Sequence, residues 1–130
     1  MATEDPAINM YLRYYKDGAR KRNIEFNLTP DEFSNLISKN CYYCGAEPRT
    51  HELVSKSLAN KKYILVANGI DRFDNNEGYN TSNCVPCCTL CNTMKSNLSY
   101  NNFKEHITKI YNHTILEKGS TTISEESTPK

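Results

Sequence analysis

Residues 68–95 read NGIDRFDNNEGYNTSNCVPCCTLCNTMK, and the reading of the whole chain turns on them. The stretch holds four of the six cysteines, an Asp71-Arg72 pair, a Gly78-Tyr79 pair behind a run of turn formers, and Asn92 directly after the last cysteine. Tyr63 to Phe73 has the β-branched and aromatic content of a strand, interrupted at Asn68-Gly69. Asp74 to Gly78 favours a turn, a second strand is expected around Tyr79 to Pro86, and a short helix from Cys88 to about Leu98. Strand, turn, strand and helix in this order make a ββα unit whose helix carries metal-type ligands in its first turn.

Working outward, Cys41-Tyr42-Tyr43-Cys44-Gly45 has the form of a zinc knuckle, because a glycine behind the second cysteine lets backbone amides turn toward the thiolates. Cys41 and Cys44 pair naturally with Cys88 and Cys91, giving two Cys-x-x-Cys pairs far apart in sequence and a tetrahedral zinc site. Cys84-x-x-Cys87 overlaps the second pair. Cys88/Cys91 is preferred because Cys84 and Cys87 flank Pro86 in the extended segment, where they can serve as small buried hydrophobes. Disulfides or redox thiols are the competing readings. The N-terminus lacks the charged-then-apolar pattern of a secretory signal, so an intracellular, reducing setting and metal ligation are expected.

The chain of 130 residues is expected to be one domain with a modest core, in which zinc adds folding energy. No apolar run approaches the roughly 18 residues of a membrane span, which reads as a soluble protein. Net charge is only +1, but Arg13, Lys16, Arg20, Lys21 and Arg22 gather on one segment against a single Asp17. Such a stripe is either a solvated helix face or a phosphate footprint.

Upstream, Ala7 to about Asn23 is an amphipathic helix with Ile8, Tyr11, Leu12, Tyr15 and Ala19 inward. Ile24 to Leu28 is a short extended piece. Thr29-Pro30-Asp31-Glu32 opens a second helix with a capping box, with Phe33, Leu36 and Ile37 inward. Residues 46–62 show weak periodicity and read as a connecting excursion, with His51 on the surface. Ser99 caps a last helix to about His113, with Phe103, Ile107, Ile110 and Tyr111 inward, and His106 and His113 on or beside its face. Residues 114–130 form a polar tail expected to be disordered.

Asp71 offers a carboxylate and Asn92 an amide oxygen, donors that Mg²⁺ or Mn²⁺ accepts. Arg72 can clamp phosphate oxygens. The same residues also have structural readings: an ion pair at Asp71-Arg72, a packed edge aromatic at Tyr79, and support of a helix turn by Asn92.

Asp71-Arg72, Asn83, Cys88 to Cys91, Asn92 and Lys95 together resemble the HNH endonucleases, the His-Me finger or ββα-metal group, over roughly Cys41 to Ile110. Their usual pattern has histidine as general base where this chain has Arg72, which stays protonated and cannot take a proton from water. GIDRFDNNEGYNTSN resembles an Asp-Arg, Gly-Tyr variant of the HNH site found in a rare-cutting restriction enzyme. That resemblance implies that Tyr79 initiates strand cleavage, that Arg72 activates it or holds the phosphate, and that Asp71 and Asn92 hold the metal. Asn83 is read as a brace of the hairpin. Lys95 is a phosphate contact or solvent cover.

Register tests the idea. A four-residue turn over Asp74 to Glu77 sets Arg72 opposite Tyr79, whereas inclusion of Gly78 pairs Tyr79 with Phe73 and turns it away.

The expected protein is α+β, with an N-terminal helical extension (1–40), an HNH nuclease core with one structural zinc (41–113) and the polar tail. The implied activity is metal-dependent hydrolysis of DNA, with Arg13, Lys16, Arg20, Lys21, Arg22 and Lys95 contacting the backbone. DNA is the implied partner, no membrane is involved, and a homodimer is compatible. A virus, phage or mobile element suits such a chain as its source. The alternatives are a zinc-stapled DNA-binding module that has lost cleavage and a thiol redox or metal-sensing protein.

Overall fold

The computed structural model describes residues 5–117. Helix α1 (Pro6–Lys21) starts where its sequence dictates: the Asp5 carboxylate accepts the Ala7 amide at 2.9 Å, and Pro6 occupies the first turn. Its apolar stripe supplies the core, with Ala7, Leu12 and Ala19 buried and Ile8, Tyr11 and Tyr15 packed beside them. Asn23, in the left-handed region at φ 58°, turns the chain out of the helix into the extended piece at Phe26. Helix α2 (Pro30–Ile37) carries the anticipated capping box, Thr29 Oγ1 accepting from Glu32 N and Glu32 Oε1 from Thr29 N. Phe33 is buried against Tyr11 and Tyr15 of α1, and Ile37 is buried in the same core.

The segment read as a connecting excursion forms a hairpin instead. Strand β1 (Arg49–Ser55) pairs antiparallel with β2 (Lys61–Ala67), with His51 opposite Leu65. Periodicity missed β1 because only one face of the two-stranded sheet is covered: Leu65 and Ala67 are buried, whereas Val54, Ile64 and Val66 are exposed.

The long strand expected from Tyr63 to Phe73 is two strands in two sheets, split at Asn68. The Asn68 amide donates to Ile37 O, and its side chain donates to Lys39 O and Ala46 O at 2.8 and 3.2 Å. Buried and held on three carbonyls, Asn68 cannot continue the β1–β2 ladder, and β3 (Gly69–Arg72) begins in a new direction.

Strand β4 (Cys84–Cys87) pairs antiparallel with β3, Arg72 opposite Cys84 and Gly69 opposite Cys87. Helix α3 (Thr89–Lys95) follows at once, completing the ββα unit. The architecture is therefore mixed α+β, with α1, α2 and both small sheets around one core.

The backbone divides into two compact units, Met1–Asn97 and Leu98–Lys130. In the second, α4 (Tyr100–Ile110) is capped by Ser99 and followed by a π-helical turn, Tyr111–Glu117. Residues 114–117 of the expected tail are thus helical, and 118–130 lie outside the described residues. Of the four residues expected to face inward there, Phe103 is buried, whereas Ile107, Ile110 and Tyr111 are exposed. His106 and His113 are also exposed. Among the described residues, no helix is long and apolar enough to cross a membrane.

Candidate active site and metal centre

Cys41, Cys44, Cys88 and Cys91 converge, their sulfurs all within 4.8 Å of one another. Cys44 Sγ lies 3.7 Å from Cys88 Sγ, against an edge of about 3.8 Å for a tetrahedron with 2.3 Å Zn–S bonds. The knuckle closes as its sequence requires. Gly45 sits at φ 79° and returns its amide to Cys41 O at 2.9 Å. Cys88 caps α3, its sulfur accepting from Cys91 N. Burial pushes the Cys41 thiol up, but amide donors of Cys88, Cys44 and Tyr43 outweigh it and hold the thiol at about 6. The donor set fits zinc.

Cys84 and Cys87 are outside the four-ligand set and are buried, Cys84 in the main core and Cys87 packed beside Cys41, Cys88 and Cys91. Burial raises the Cys84 thiol to about 11 and the Cys87 thiol further, which keeps both as neutral packing groups.

A cavity of about 580 Å³ gathers Asp71, Arg72, Tyr79 and Asn92, with Lys21 and Arg22 of the α1 end on its wall. Neither anticipated hairpin register occurs. The connection from β3 to β4 runs from Phe73 to Asn83, and Tyr79 lies inside it rather than on β4. Tyr79 pairs instead with Phe26, donating its amide to Glu25 O at 2.8 Å and accepting Asn27 N at 2.7 Å. Such close approach requires Gly78, since a Cβ there would lie 2.4 Å from Glu25 O.

The loop is braced by Asn83, as its sequence position suggested. Its Oδ1 accepts Asp74 N, and its Nδ2 donates to the carbonyls of Asp74, Glu77 and Gly78. Arg72 donates through Nη1 to Asn75 O and Glu77 O at 3.0 and 2.7 Å, and its guanidinium carbon sits 5.3 Å from the Tyr79 ring centroid. The Tyr79 ring also packs edge-on against Tyr15 and tilted on Phe26. Arg22 Nη2 donates to the Tyr79 hydroxyl at 3.1 Å.

Asp71 is buried, and each of its carboxylate oxygens accepts one hydrogen bond. Lys95 Nζ lies 3.2 Å from Oδ1, and the Tyr43 hydroxyl donates to Oδ2 at 2.6 Å. Lys95 itself is completely buried and also donates to Arg72 O at 3.2 Å. Lys95 is thus neither the solvent cover nor the open phosphate contact expected of it, but a buried partner of Asp71. On α3, Lys95 follows Cys91 by four residues and shares its buried face, while Asn92 is exposed toward the cavity. Asp71 and Asn92 both line the cavity with hard oxygen donors, residue types compatible with a magnesium-type ion that keeps several waters.

The basic stripe divides. Lys21 and Arg22 reach the cavity, Lys16 lies 6.0 Å over the Phe26 ring, Arg20 pairs with Asp17 at 2.7 Å, and Arg13 is exposed elsewhere on α1. Sequence reasoning missed Tyr43 as a partner of Asp71 and Arg22 as a partner of Tyr79. A tyrosine between two ligand cysteines was the available signal for the first; for the second there was none. His51, expected on the surface, is half-buried, its Nε2 2.8 Å from Ala67 O.

No protein-family model matches the chain. The chain is 41% identical over 93 residues to "uncharacterized protein R423" of Acanthamoeba polyphaga mimivirus, covering 72% of this chain and 14% of that protein. It is 26% identical over 109 residues to the SPbeta prophage-derived putative HNH endonuclease YoqL of Bacillus subtilis (strain 168), covering 82% of this chain and 44% of YoqL. This chain thus spans less than half the length of either relative. Among solved structures it superposes on the rare-cutting HNH restriction endonuclease PacI, known for an extraordinary mechanism of DNA perturbation. The TM-score is 0.54, with 24% identity over 81% of this chain and 79% of that one.

Proposed function

From a chain with the fold of an HNH endonuclease, we infer a divalent-metal-dependent nuclease that hydrolyses DNA phosphodiester bonds. The observation that carries this reading is the meeting of Asp71, Arg72, Tyr79 and Asn92 on one cavity, although Tyr79 arrives there from a loop and not from the hairpin strand. Asp71 and Asn92 would hold Mg²⁺ or Mn²⁺, which supplies positive charge against the negative charge that builds on a phosphate under attack.

Tyr79 supplies the oxygen that starts the reaction. As nucleophile, the Tyr79 hydroxyl gives its proton to solvent and bonds to phosphorus while the ester P–O bond breaks and the leaving oxygen takes a proton from solvent; water then hydrolyses the phosphotyrosine. As base, the Tyr79 oxygen, its own proton already lost to solvent, takes a proton from the attacking water while the ester P–O bond breaks. Arg72, always protonated, orients the Tyr79 ring and the 74–77 turn that it holds. Lys21 and Arg22 contact the DNA backbone at the cavity, with Arg13, Lys16 and Arg20 along α1 extending the footprint. The four-cysteine zinc braces α3, and so Asn92, against the knuckle. The viral and prophage sources of the two curated relatives support an intracellular role in a virus, phage or mobile element.

A second reading, a zinc-stapled DNA-binding module without cleavage, draws support from Lys95, whose ammonium already neutralises Asp71. Plasmid cleavage in Mg²⁺ or Mn²⁺ separates the two. Nicking or linearisation that Tyr79→Phe and Asn92→Ala both abolish is expected. DNA retention with one bound zinc and no cutting under any divalent ion would select the binding module.

A further inference from the structure

We propose that Arg22, at the end of α1 and outside the ββα unit, is the guanidinium that acts at the Tyr79 oxygen and meets the DNA phosphate there. The proposal rests on the nuclease reading and adds a catalytic residue to it. Two arginines lie near Tyr79, and the structure separates their roles. Arg72 stacks on the ring face and spends Nη1 on the carbonyls of Asn75 and Glu77. Arg22 is the one that reaches the oxygen, at 3.1 Å.

The position of Arg22 is built rather than accidental. Its Nε donates to Gly18 O at 3.2 Å, and its own amide ends α1 on the carbonyls of Gly18, Ala19 and Arg20. Immediately downstream, Glu25 and Asn27 clamp the backbone of Tyr79 by two hydrogen bonds. The segment that carries Arg22 therefore also holds the backbone of Tyr79, which sets the phenol oxygen beside the guanidinium. No carboxylate pairs with Arg22 among the described residues, and its remaining N–H donors make no hydrogen bond to the protein. It is exposed and lines the same cavity as Asp71 and Asn92. A planar donor with free N–H groups beside the reacting oxygen suits a phosphodiester, since one edge can stabilise a phenolate while others bind non-bridging phosphate oxygens.

The test compares wild type, Arg22→Ala and Arg22→Lys on cleaved DNA under single turnover, with DNA affinity measured separately by fluorescence anisotropy in Ca²⁺. Arg22→Ala is expected to slow cleavage roughly 100-fold, the loss typical for one transition-state donor, with affinity weakened less than about threefold. Methylguanidinium is expected to restore part of that rate to Arg22→Ala and none to Tyr79→Phe. A rate within about threefold of wild type, or a loss carried wholly by affinity, would overturn the proposal. If the wild type cuts no DNA, the nuclease reading fails, and the Arg22 site is read directly from its ¹⁵Nε–¹Hε resonance during titration with dimethyl phosphate. A shift altered by Tyr79→Phe supports the shared site; a resonance indifferent to both overturns it.

Discussion

Lys95→Met is the substitution whose outcome the structure constrains most tightly. Lys95 is 0% exposed and Asp71 6%, with Nζ 3.2 Å from Oδ1 and a second bond from Nζ to Arg72 O. Methionine fills much of the same volume but leaves the Asp71 carboxylate buried with the Tyr43 hydroxyl as its one remaining hydrogen-bond partner among the described residues. Removing one member of a buried pair costs about 3–5 kcal/mol, far more than the pair's net worth, because a charge is left without compensation. Against a total of about 5–15 kcal/mol for a domain, that is a large share of the stability. For a unit of this size it lowers Tm by roughly 10–25 °C. The assay is urea unfolding at fixed free zinc, so that metal linkage does not mask the change. Asp71→Asn combined with Lys95→Met removes both charges and is expected to cost less than the sum of the single losses, with a coupling of about 1–3 kcal/mol. A loss below about 1 kcal/mol for Lys95→Met, with no coupling to Asp71, would refute the reasoning and mean that the ammonium is hydrated.

Two further outcomes follow from the same geometry. Purified protein should carry one zinc per chain by elemental analysis; Cys41→Ser and Cys88→Ser should lose it and unfold, whereas Cys84→Ala and Cys87→Ala should keep it. Gly78→Ala should destabilise by about 1–3 kcal/mol in thermal unfolding, because its Cβ would meet Glu25 O at 2.4 Å and push Tyr79 off its backbone clamp.

Local chemistry explains which elements were legible. Caps at Thr29 and Ser99, the α1 stripe and the cysteine spacings act over a few residues, so their consequences are written in the chain itself. The β1 hairpin was not legible, because a sheet covered on one face leaves exposed Val54, Ile64 and Val66 mixed with charged neighbours. The loop register failed for a related reason. Asn83 ties down Asp74, Glu77 and Gly78, and Phe26 captures Tyr79, so long-range bonds override the short-turn preference of the DNNEG run.

The sequence by itself determined the four-cysteine set of the candidate metal centre, the order of the ββα unit, and the residue types brought to the candidate site. Each depends on side-chain identity and short spacing. Only the tertiary structure decided which of two arginines touches the Tyr79 oxygen, and that Lys95 is buried on Asp71. Those contacts join residues 57 and 24 positions apart, a separation over which local propensity carries no information and packing alone sets the distance.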